Sequence, residues 1–318
     1  MAGDTLPAIL GYGEMMYNGI INVYKEAGYT SHDVVAKLRG ILRQKKIGHT
    51  GTLDPDAVGV LPVCLGAGTK LCDMLTDWNK EYRAVMRLGV ETDTQDMSGT
   101  VLKTASPEEL ASLDEQKVRD IILNFVGQYE QIPPMYSALK VNGRKLYELA
   151  REGKEVERRP RTVTIEELEI QELKLPLVTM RVVCSKGTYI RTLCHDIGEK
   201  LGVGGAMQTL TRSRVGIFRE EDALTLSQLE TLRDENRVEE ILVKPDAIFA
   251  QNRAVCVNAA GEGFVQNGNR MTARQLAETY DLKPDEQVRV YDSRQHFYGI
   301  YAYLAQEKVL KPVKMFLT

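Results

Sequence analysis

The residues best suited to do chemistry lie in one loop that is rich in glycine and proline. This loop is GHTGTLDPDAVGVLPVCLGAGTK, residues 48–70, and its Asp54 stands directly before Pro55. An aspartate with the ordinary pKa of ~3.9 is charged at neutral pH and can act as a nucleophile. Glycine lets a substrate approach the backbone closely, and proline stiffens the loop. An Asp-Pro pair also begins ordinary turns, so the loop alone leaves a purely structural role for Asp54 open.

Other chemistries that this loop could suggest have less support. A glycosidase needs two carboxyls about 5–10 Å apart on opposite sides of one bond, whereas Asp54 and Asp56 are close neighbours on a turn. His49 could be a general base, but no serine or cysteine stands in a nucleophile elbow nearby. The chain contains no GxxxxGK[ST] or GxGxxG loop, so a nucleotide cofactor is not indicated. The cysteines and histidines are scattered without the close pairs of a structural zinc site, so no metal is expected.

The elements around the loop must bring further side chains to it. After Ser31 the apolar residues follow helical spacing, which predicts a helix that is capped by Ser31 and ends near Gly48. The remaining pattern predicts strands at 60–65, 81–90 and 178–184, and helices from about 69, over 107–126, after Gly187 and near 225–240.

Residues 133–160 differ from the segments on either side. Two prolines begin this stretch, Pro160 ends it, and basic residues alternate with Tyr136 and Tyr147. This pattern predicts an insertion that leaves the sheet and can close over a ligand.

The end of the chain has the pattern of a small β-rich unit. Pro245 marks a boundary, and short strands follow, with turns predicted at Gly261, Gly263, Asn267-Gly268 and Gly299. We therefore predict two domains, residues 1–249 and residues 250–318.

Composition limits the class of protein. The chain has 318 residues, 43% hydrophobic content and a net charge of −3, which suits a globular protein of about two domains. No apolar run is long enough to span a membrane, and the N-terminus MAGDTLPAIL does not resemble a secretory signal, so a cytoplasmic location is expected. Charge is segregated: five basic residues and no acid lie between Val34 and Leu53, and eight acids against three bases lie between Glu91 and Asp120. Such segregation favours a face that binds a polyanion, although solvated helix faces would look the same.

Five blocks of the sequence, in order, resemble the TruB family of tRNA pseudouridine synthases. They run from about Asn22 to Phe218 and read TSHDVV, the GHTGTLDP loop, EYRAVMRLGVETDTQDMSG, IPPMYSALKVNGRKLYELAREG and CSKGTYIRTLCHDIGEKLG. The final strands are similar to the RNA-binding PUA domain that often follows. The resemblance implies an α+β pseudouridine synthase fold with a mixed, largely antiparallel sheet, a thumb-like insertion and a C-terminal PUA-like domain. The resemblance therefore favours a nucleic-acid-binding face, rather than solvated helix faces, as the explanation of the segregated charge.

The resemblance also implies which residues catalyse the reaction. Asp54 matches the family's nucleophile, and Tyr82 matches the tyrosine that stacks on a flipped-out uracil. Arg191 matches the arginine that pairs with the catalytic carboxylate.

Four further positions match residues that bind the substrate. By resemblance His49 contacts the RNA and helps to hold the flipped nucleotides, and Tyr189 lines the pocket. Leu210 matches the apolar residue on the far side of the pocket, and Lys25 matches the lysine of an early block.

The implied reaction is the isomerisation of one uridine in the T-loop of tRNA, at conventional position 55. The base is flipped out, its glycosidic bond is broken, and the uracil is rejoined through C5, with no metal or organic cofactor. The insertion suits the bacterial branch of the family, which implies that a monomer acts on the T-arm without an obligatory protein partner. Three alternatives stay open: another structured RNA as substrate, an RNA-folding chaperone, or an RNA-binding module without catalysis.

Overall fold

The computed structural model of the chain describes residues 16–317, with one large sheet built from strands between residues 19 and 219 and a second sheet built from strands between residues 253 and 315. The prediction that residues 1–10 do not form a secretory signal concerns residues outside this range. The strands are β1 (Gly19–Lys25), β2 (Ile47–His49), β3 (Val58–Leu65), β4 (Lys80–Leu88), β5 (Val90–Thr92), β6 (Val101–Thr104), β7 (Gly127–Gln131), β8 (Lys140–Val141), β9 (Arg144–Lys145), β10 (Arg161–Lys174), β11 (Leu177–Cys184), β12 (Gly205–Val215), β13 (Phe218–Arg219), β14 (Arg253–Cys256), β15 (Met271–Thr272), β16 (Gln287–Tyr291), β17 (Phe297–Leu304) and β18 (Val309–Met315).

Helices lie between these strands along the chain. None of those in residues 16–317 combines the length and the apolar character needed to cross a membrane. The helices are α1 (Ser31–Ile41), α2 (Cys72–Thr76), α3 (Pro107–Ala111), α4 (Glu115–Leu123), α5 (Leu146–Arg151), α6 (Ile190–Leu201), α7 (Leu226–Asp234) and α8 (Ala259–Gln266).

The larger sheet confirms the predicted mixed, largely antiparallel α+β architecture. Its strands lie in the order β1-β3-β12-β4-β11-β10-β7, with β2 beside β3 and β13 beside β12. Every pair is antiparallel except β12 with β3. Strands β3, β12, β4 and β11 are therefore neighbours, although they come from distant parts of the chain.

Alternating side chains make β4 a half-buried strand. Lys80, Tyr82, Ala84, Met86 and Leu88 are buried, and the residues between them are more exposed, because successive side chains of a strand point to opposite faces. The buried face packs on α6 and α4 in a cluster that also contains Leu193, Ile197, Val118 and Ile122. Tyr82 is thus fixed within the main core of the sheet.

The predicted insertion lies between two neighbouring strands. Gln131 at the end of β7 pairs with Arg161 at the start of β10, so residues 132–160 leave the sheet and return to it. They form the small hairpin β8–β9, the helix α5 and irregular chain.

The second sheet has the order β14-β16-β17-β18-β15 and its own apolar cluster around Val255, Val288 and Tyr301. This unit also packs against the larger sheet. Its Phe249, Ile300 and Phe316 lie in one apolar cluster with Ile20 of β1 and with Leu71. The β-rich character is confirmed, while the boundary near residue 250 stays a prediction.

Three of the turns predicted in this unit, at Gly261, Gly263 and Gly299, were wrong. Gly261 and Gly263 lie inside α8, which begins at the cap residue Asn258, whose side chain accepts from the Gly261 N–H at 3.1 Å. Gly299 lies inside β17, where a Cβ would stand 2.3 Å from the Lys314 carbonyl oxygen. Glycine at 299 therefore reflects close packing of two strands rather than a turn.

Several predicted helix limits also differ. Thr30, not Ser31, caps α1, in a capping box with Asp33, and the helix ends at Ile41 well before Gly48. The helix expected over 107–126 is split into α3 and α4 because Asp114 caps a second helix. Short 3₁₀ segments replace regular helix at Gly66–Leu71, ahead of α2, and at Val238–Ile241, after α7.

Candidate active site

The loop that carries Asp54 is held from beneath by two side chains. Lys25, at the end of β1, is fully buried, and its ammonium donates to the carbonyl oxygens of Glu26, Pro55 and Ala57 at 3.1, 2.9 and 2.6 Å. The hydroxyl of Ser31, freed from capping α1, accepts from the Leu53 N–H at 2.9 Å. Burial lowers the pKa of Lys25 to about 8. The backbone on both sides of Asp54 is therefore tied to β1 and α1.

Lys25 thus occupies a supporting position under the loop. Its ammonium donates to three backbone carbonyls of this chain, so a direct contact with RNA stays a prediction that would need the ammonium to change partners.

Asp54 forms a two-point ion pair with Arg191 at the start of α6. The Arg191 Nε lies 3.0 Å from one carboxylate oxygen, and Nη2 lies 3.4 Å from the other. The Arg191 side chain is only 6% exposed, whereas that of Asp54 is 39% exposed, so the carboxylate is open on one side. Only the Nη2 contact has hydrogen-bond geometry, so the carboxylate is oriented by one hydrogen bond and by the charge of the nearby Nε. The predicted pairing of these two residues agrees with the geometry, and their catalytic roles stay predictions.

Arg191 has further partners that hold it in place. Its Nη1 donates to the Thr94 carbonyl oxygen at 3.1 Å and lies 3.4 Å from a carboxylate oxygen of Asp96. Its Nη2 also donates to the Tyr136 carbonyl oxygen at 2.8 Å, so the insertion contacts the site through the same guanidinium.

Asp96 is a residue that the sequence analysis missed. Its carboxylate accepts from the hydroxyls of Thr94 and Ser98 at 2.7 and 2.6 Å, as well as pairing with Arg191. The polar turn TDTQDMSG was part of a matched block, and its aspartates could have been examined as partners for a buried arginine. Only the fold shows that Asp96, and not Asp93, reaches the guanidinium.

The electrostatics of Asp54 combine opposing effects. Burial raises the pKa of its carboxyl, the Arg191 and Lys25 cations lower it, and Asp96 and Asp56 raise it. The net direction is a raised pKa, so this carboxylate is more basic than the free aspartate that the sequence analysis assumed. An open, oriented carboxylate of this kind can act as a nucleophile or as a base.

Tyr82 and Leu210 belong to the same apolar cluster as Leu53 of the loop. Tyr82 lies on β4 and Leu210 on the neighbouring β12, and each is 8% exposed. Burial raises the pKa of the Tyr82 phenol, which therefore keeps its proton at neutral pH. A planar aromatic ring and an aliphatic side chain near one carboxylate are suited to hold a flat heterocycle between them.

His49 lies at the end of β2, immediately before the loop. Its Nδ1 accepts from the Gly51 N–H at 3.3 Å, and its ring meets the His32 ring edge to face at 5.3 Å. Burial and the nearby Arg212 guanidinium lower the pKa of His49, so the imidazole is neutral, and its proton is on Nε2 because Nδ1 accepts a hydrogen bond. The lone pair needed for the general-base alternative is already engaged, and His49 can offer a hydrogen-bond donor instead.

Tyr189 is placed by a side chain from β7. The Gln131 amide accepts from the Tyr189 N–H at 2.8 Å and donates to the Tyr189 carbonyl oxygen at 3.0 Å. This pairing fixes the first residue before α6, and Tyr189 is half-buried beside the Arg191 guanidinium.

One group in residues 16–317 has the donor set for a metal ion. His195, Asp196 and Glu199 on α6 have ligand atoms within 4.8 Å of one another. Glu199 is 63% exposed, and exposed acidic groups commonly occur without an ion, so this group receives no assignment.

Comparison with solved structures defines the class of protein. The chain superposes on the structure of an H/ACA RNP bound to a substrate RNA containing 2'-deoxyuridine with a TM-score of 0.67 and 27% identity, covering 94% of this chain and 85% of that one. A Cbf5-Nop10-Gar1 complex gives the same TM-score and coverage at 29% identity. The fold is that of the pseudouridine synthases.

Sequence relatives narrow the class to one family. The N-terminal domain of the TruB family pseudouridylate synthases matches residues 39–190, and the C-terminal domain of tRNA pseudouridylate synthase B matches residues 191–248. The tRNA pseudouridine synthase B of Lachnoclostridium phytofermentans is 51% identical over 94% of this chain and 100% of that protein. That of Alkaliphilus oremlandii is 47% identical over 86% and 89%. The chain belongs to the TruB family, and it is a pseudouridine synthase, as the motifs predicted.

Proposed function

We propose that this enzyme converts the uridine at conventional position 55 in the T-loop of tRNA to pseudouridine, with Asp54 as its nucleophile. The relatives that bear the name tRNA pseudouridine synthase B, and that match almost the whole chain, support tRNA as the substrate. The observation that carries the proposal is the open Asp54 carboxylate held at two points by the buried Arg191.

The target uridine has to leave its stacked position before Asp54 can reach it. Flipping a base costs a few kcal/mol of unstacking, least where the base is already poorly paired. In the proposal Tyr82 stacks on the flipped uracil, and Leu210 packs on its other face. Both side chains are buried and belong to the core, so their positions are fixed before the substrate binds.

The reaction is an isomerisation, so its atoms balance without a co-reactant. The bond between uracil N1 and ribose C1' breaks, a bond between uracil C5 and C1' forms, and the proton on C5 is exchanged for one on N1. A charged Asp54 carboxylate is needed for attack on the ribose, and Arg191 keeps it charged and aimed.

The freed uracil has to be retained while it turns. We infer that the insertion, residues 132–160, limits the access of water. Support comes from the Tyr136 carbonyl oxygen, which accepts from Arg191 at 2.8 Å and so joins the insertion to the catalytic pair. The exposed cations Arg144 and Lys154 of the insertion suit contact with the phosphates of the T-arm.

The remaining site residues receive binding roles in this proposal. His49 offers its Nε2–H to the nucleotides flanking the target, and Tyr189 lines the pocket beside Arg191. Lys25 acts from below, by fixing the loop that carries Asp54.

The experiment measures tritium release from a T-arm stem-loop labelled at uridine C5, because bond formation at C5 must release that label. Asp54→Asn is compared with Asp56→Asn, a matched control in the same loop whose side chain is exposed. We expect release by the wild type and by Asp56→Asn, and none by Asp54→Asn. A stem-loop whose target uridine is replaced by cytidine should release no label from its other uridines.

Two results would refute the proposal in different ways. Release by Asp54→Asn at the wild-type rate would remove Asp54 as nucleophile. Tight binding of the stem-loop by the wild type without release would point to another RNA substrate or to a chaperone role.

A further inference from the structure

A buried cation lies beneath the candidate site without a carboxylate partner. Arg212, on β12, is 1% exposed and is among the largest fully buried side chains. Within residues 16–317 no carboxylate oxygen lies within 4.0 Å of its guanidinium nitrogens. An unpaired buried charge is costly, so its position calls for an explanation beyond stability.

The contacts of Arg212 lie on both sides of the Asp54 loop. Its Nε donates to the Val60 carbonyl oxygen at 2.7 Å, and its Nη2 donates to the Gly51 carbonyl oxygen at 3.3 Å. Gly51 precedes Asp54 in the loop and Val60 lies in the strand that leaves it. The guanidinium therefore bridges the two ends of the segment that presents the carboxylate.

The backbone is shaped to let Arg212 take this position. Gly59 pairs with Arg212 across the parallel part of the sheet, and a Cβ at Gly59 would stand 2.3 Å from the Arg212 carbonyl oxygen. Gly59 also has a φ of +108°, which favours glycine. Strand β12 can approach the end of the loop this closely only because residue 59 lacks a side chain.

Arg212 also faces the aromatic residue of the pocket. It pairs in register with Tyr82 on β4, on the buried side of both strands. Its charge lowers the pKa of the Tyr82 phenol against the rise caused by burial, and it lowers the pKa of His49. One fixed cation thus acts on three parts of the site: the loop, Tyr82 and His49.

We propose that Arg212 is a positioning residue of the pseudouridine synthase reaction, which joins Tyr82 to the Asp54 loop and places a fixed positive charge under the uracil pocket. The uracil that leaves C1' carries negative charge as the glycosidic bond breaks, and a preorganised cation favours that charge over the neutral bound base. The inference rests on the proposed function, because it takes Tyr82 and Asp54 as the groups that meet the uracil.

The test compares Arg212→Met and Arg212→Lys with the control Arg214→Met. Arg214 lies two residues further along β12, is 38% exposed and pairs with Glu81 at 3.2 Å. We expect Arg212→Met to lower the single-turnover rate by about 10- to 100-fold while the Kd for RNA changes by less than about 3-fold, since positioning errors act on the reacting step. Arg212→Lys should lie between it and the wild type, and Arg214→Met should keep the wild-type rate.

A double-mutant cycle with Tyr82→Phe separates positioning from general damage. Replacing Arg212 should cost clearly less in the Tyr82→Phe background than in the wild type, because contacting residues are not additive, and the loss that remains reflects the loop contacts and the charge of Arg212. Additive losses, or a weakened Kd that accounts for the whole effect, would overturn the proposal. If Arg212→Met does not fold, the same cycle with Arg212→Lys decides the question.

A measurement without catalysis keeps this inference distinct from the proposed function. The ¹³Cζ resonance of Tyr82, assigned by its loss in Tyr82→Phe, should shift in Arg212→Lys and stay in place in Arg214→Met. An unshifted resonance would overturn the contact even if the wild type is fully active on the T-arm. A wild type that is inactive on the T-arm would instead count against the proposed substrate.

Discussion

Charged residues are buried at the candidate active site and exposed in the insertion. At the site Lys25, Arg191 and Arg212 are at least nine-tenths buried, and carbonyl groups or carboxylates hold each of them. In the insertion Arg144, Glu152 and Lys154 pair with one another on the surface, where each is more than two-fifths exposed.

The difference indicates two different uses of charge. A buried ion held at several points costs desolvation free energy, and it keeps one geometry before the substrate arrives. Exposed pairs add little stability and exchange partners easily, which suits a surface that must meet RNA phosphates. Under the proposed function, the buried charges of the site therefore serve the chemistry, and the exposed charges of the insertion serve RNA binding.

The largest effect on the reaction rate should come from replacing Arg191, the partner of Asp54. Arg191→Met should lower kcat by about 10²–10³-fold, since a preorganised charge at the reacting centre is lost. The Kd for RNA should change little because Arg191 is buried. A drop confined to KM would contradict the assignment.

The same variant should change the pH dependence of the rate. In the proposed mechanism activity needs the charged carboxylate, so the rate should fall as the pH drops through the pKa of Asp54, which burial raises above the ordinary value. Because Arg191 lowers that pKa, its removal should move the acid limb of the single-turnover rate to higher pH. An acid limb that moves to lower pH in Arg191→Met would refute this role for the guanidinium.

A measurable loss of stability should follow when Lys25, which supports the Asp54 loop, is replaced. Lys25→Met leaves the carbonyls of Glu26, Pro55 and Ala57 without their donor, which should lower the free energy of unfolding by roughly 3 kcal/mol. Denaturant unfolding measures this, with the exposed Lys45→Met as the control. Equal stability of the two variants would mean that Lys25 does not hold the loop.

The link between α1 and the loop allows a matched pair of variants. Ser31→Ala leaves the Leu53 N–H without an acceptor, and Thr30→Ala removes the cap of α1. Each should lower the free energy of unfolding by about 1 kcal/mol. Only Ser31→Ala should slow the single-turnover rate, by a few-fold, because only Ser31 contacts the loop. Equal rates for both variants would argue against that link.

The smallest effect on stability should come from the insertion. Replacing Arg144 by alanine breaks its pair with Glu152, and both side chains are well exposed. The denaturant midpoint should stay within experimental error of the wild type, whereas a clear decrease would show that the insertion is held by its charges.

Local motifs predicted the parts of the site that are close in sequence. The Asp54 loop, the alternating strand with Tyr82 and the turn before Arg191 each have a pattern within about ten residues, and the structure has all three elements. Ser31 was predicted as a helix cap and is instead a loop contact, since Thr30 offered an equally good cap one residue earlier.

The parts that could not be predicted depend on contacts between distant segments. Asp96 meets Arg191 across 95 residues, and Arg212 meets Gly51 across 161. Neither residue differs in its local pattern from an ordinary polar turn or an exposed strand position. Only the order of the strands, which places β12 between β3 and β4, brings Arg212 under the loop.

The most direct test of the contrast measures the single-turnover rate at saturating RNA and the Kd side by side in two variants. Arg191→Met represents the buried charges, and the double variant Arg144→Ala with Lys154→Ala represents the exposed ones. We predict that Arg191→Met loses rate and keeps the Kd, while the insertion variant keeps the rate and shows a weaker Kd with a smaller dependence on salt. The reverse result, or a loss of both quantities in both variants, would contradict the separation of chemistry from binding.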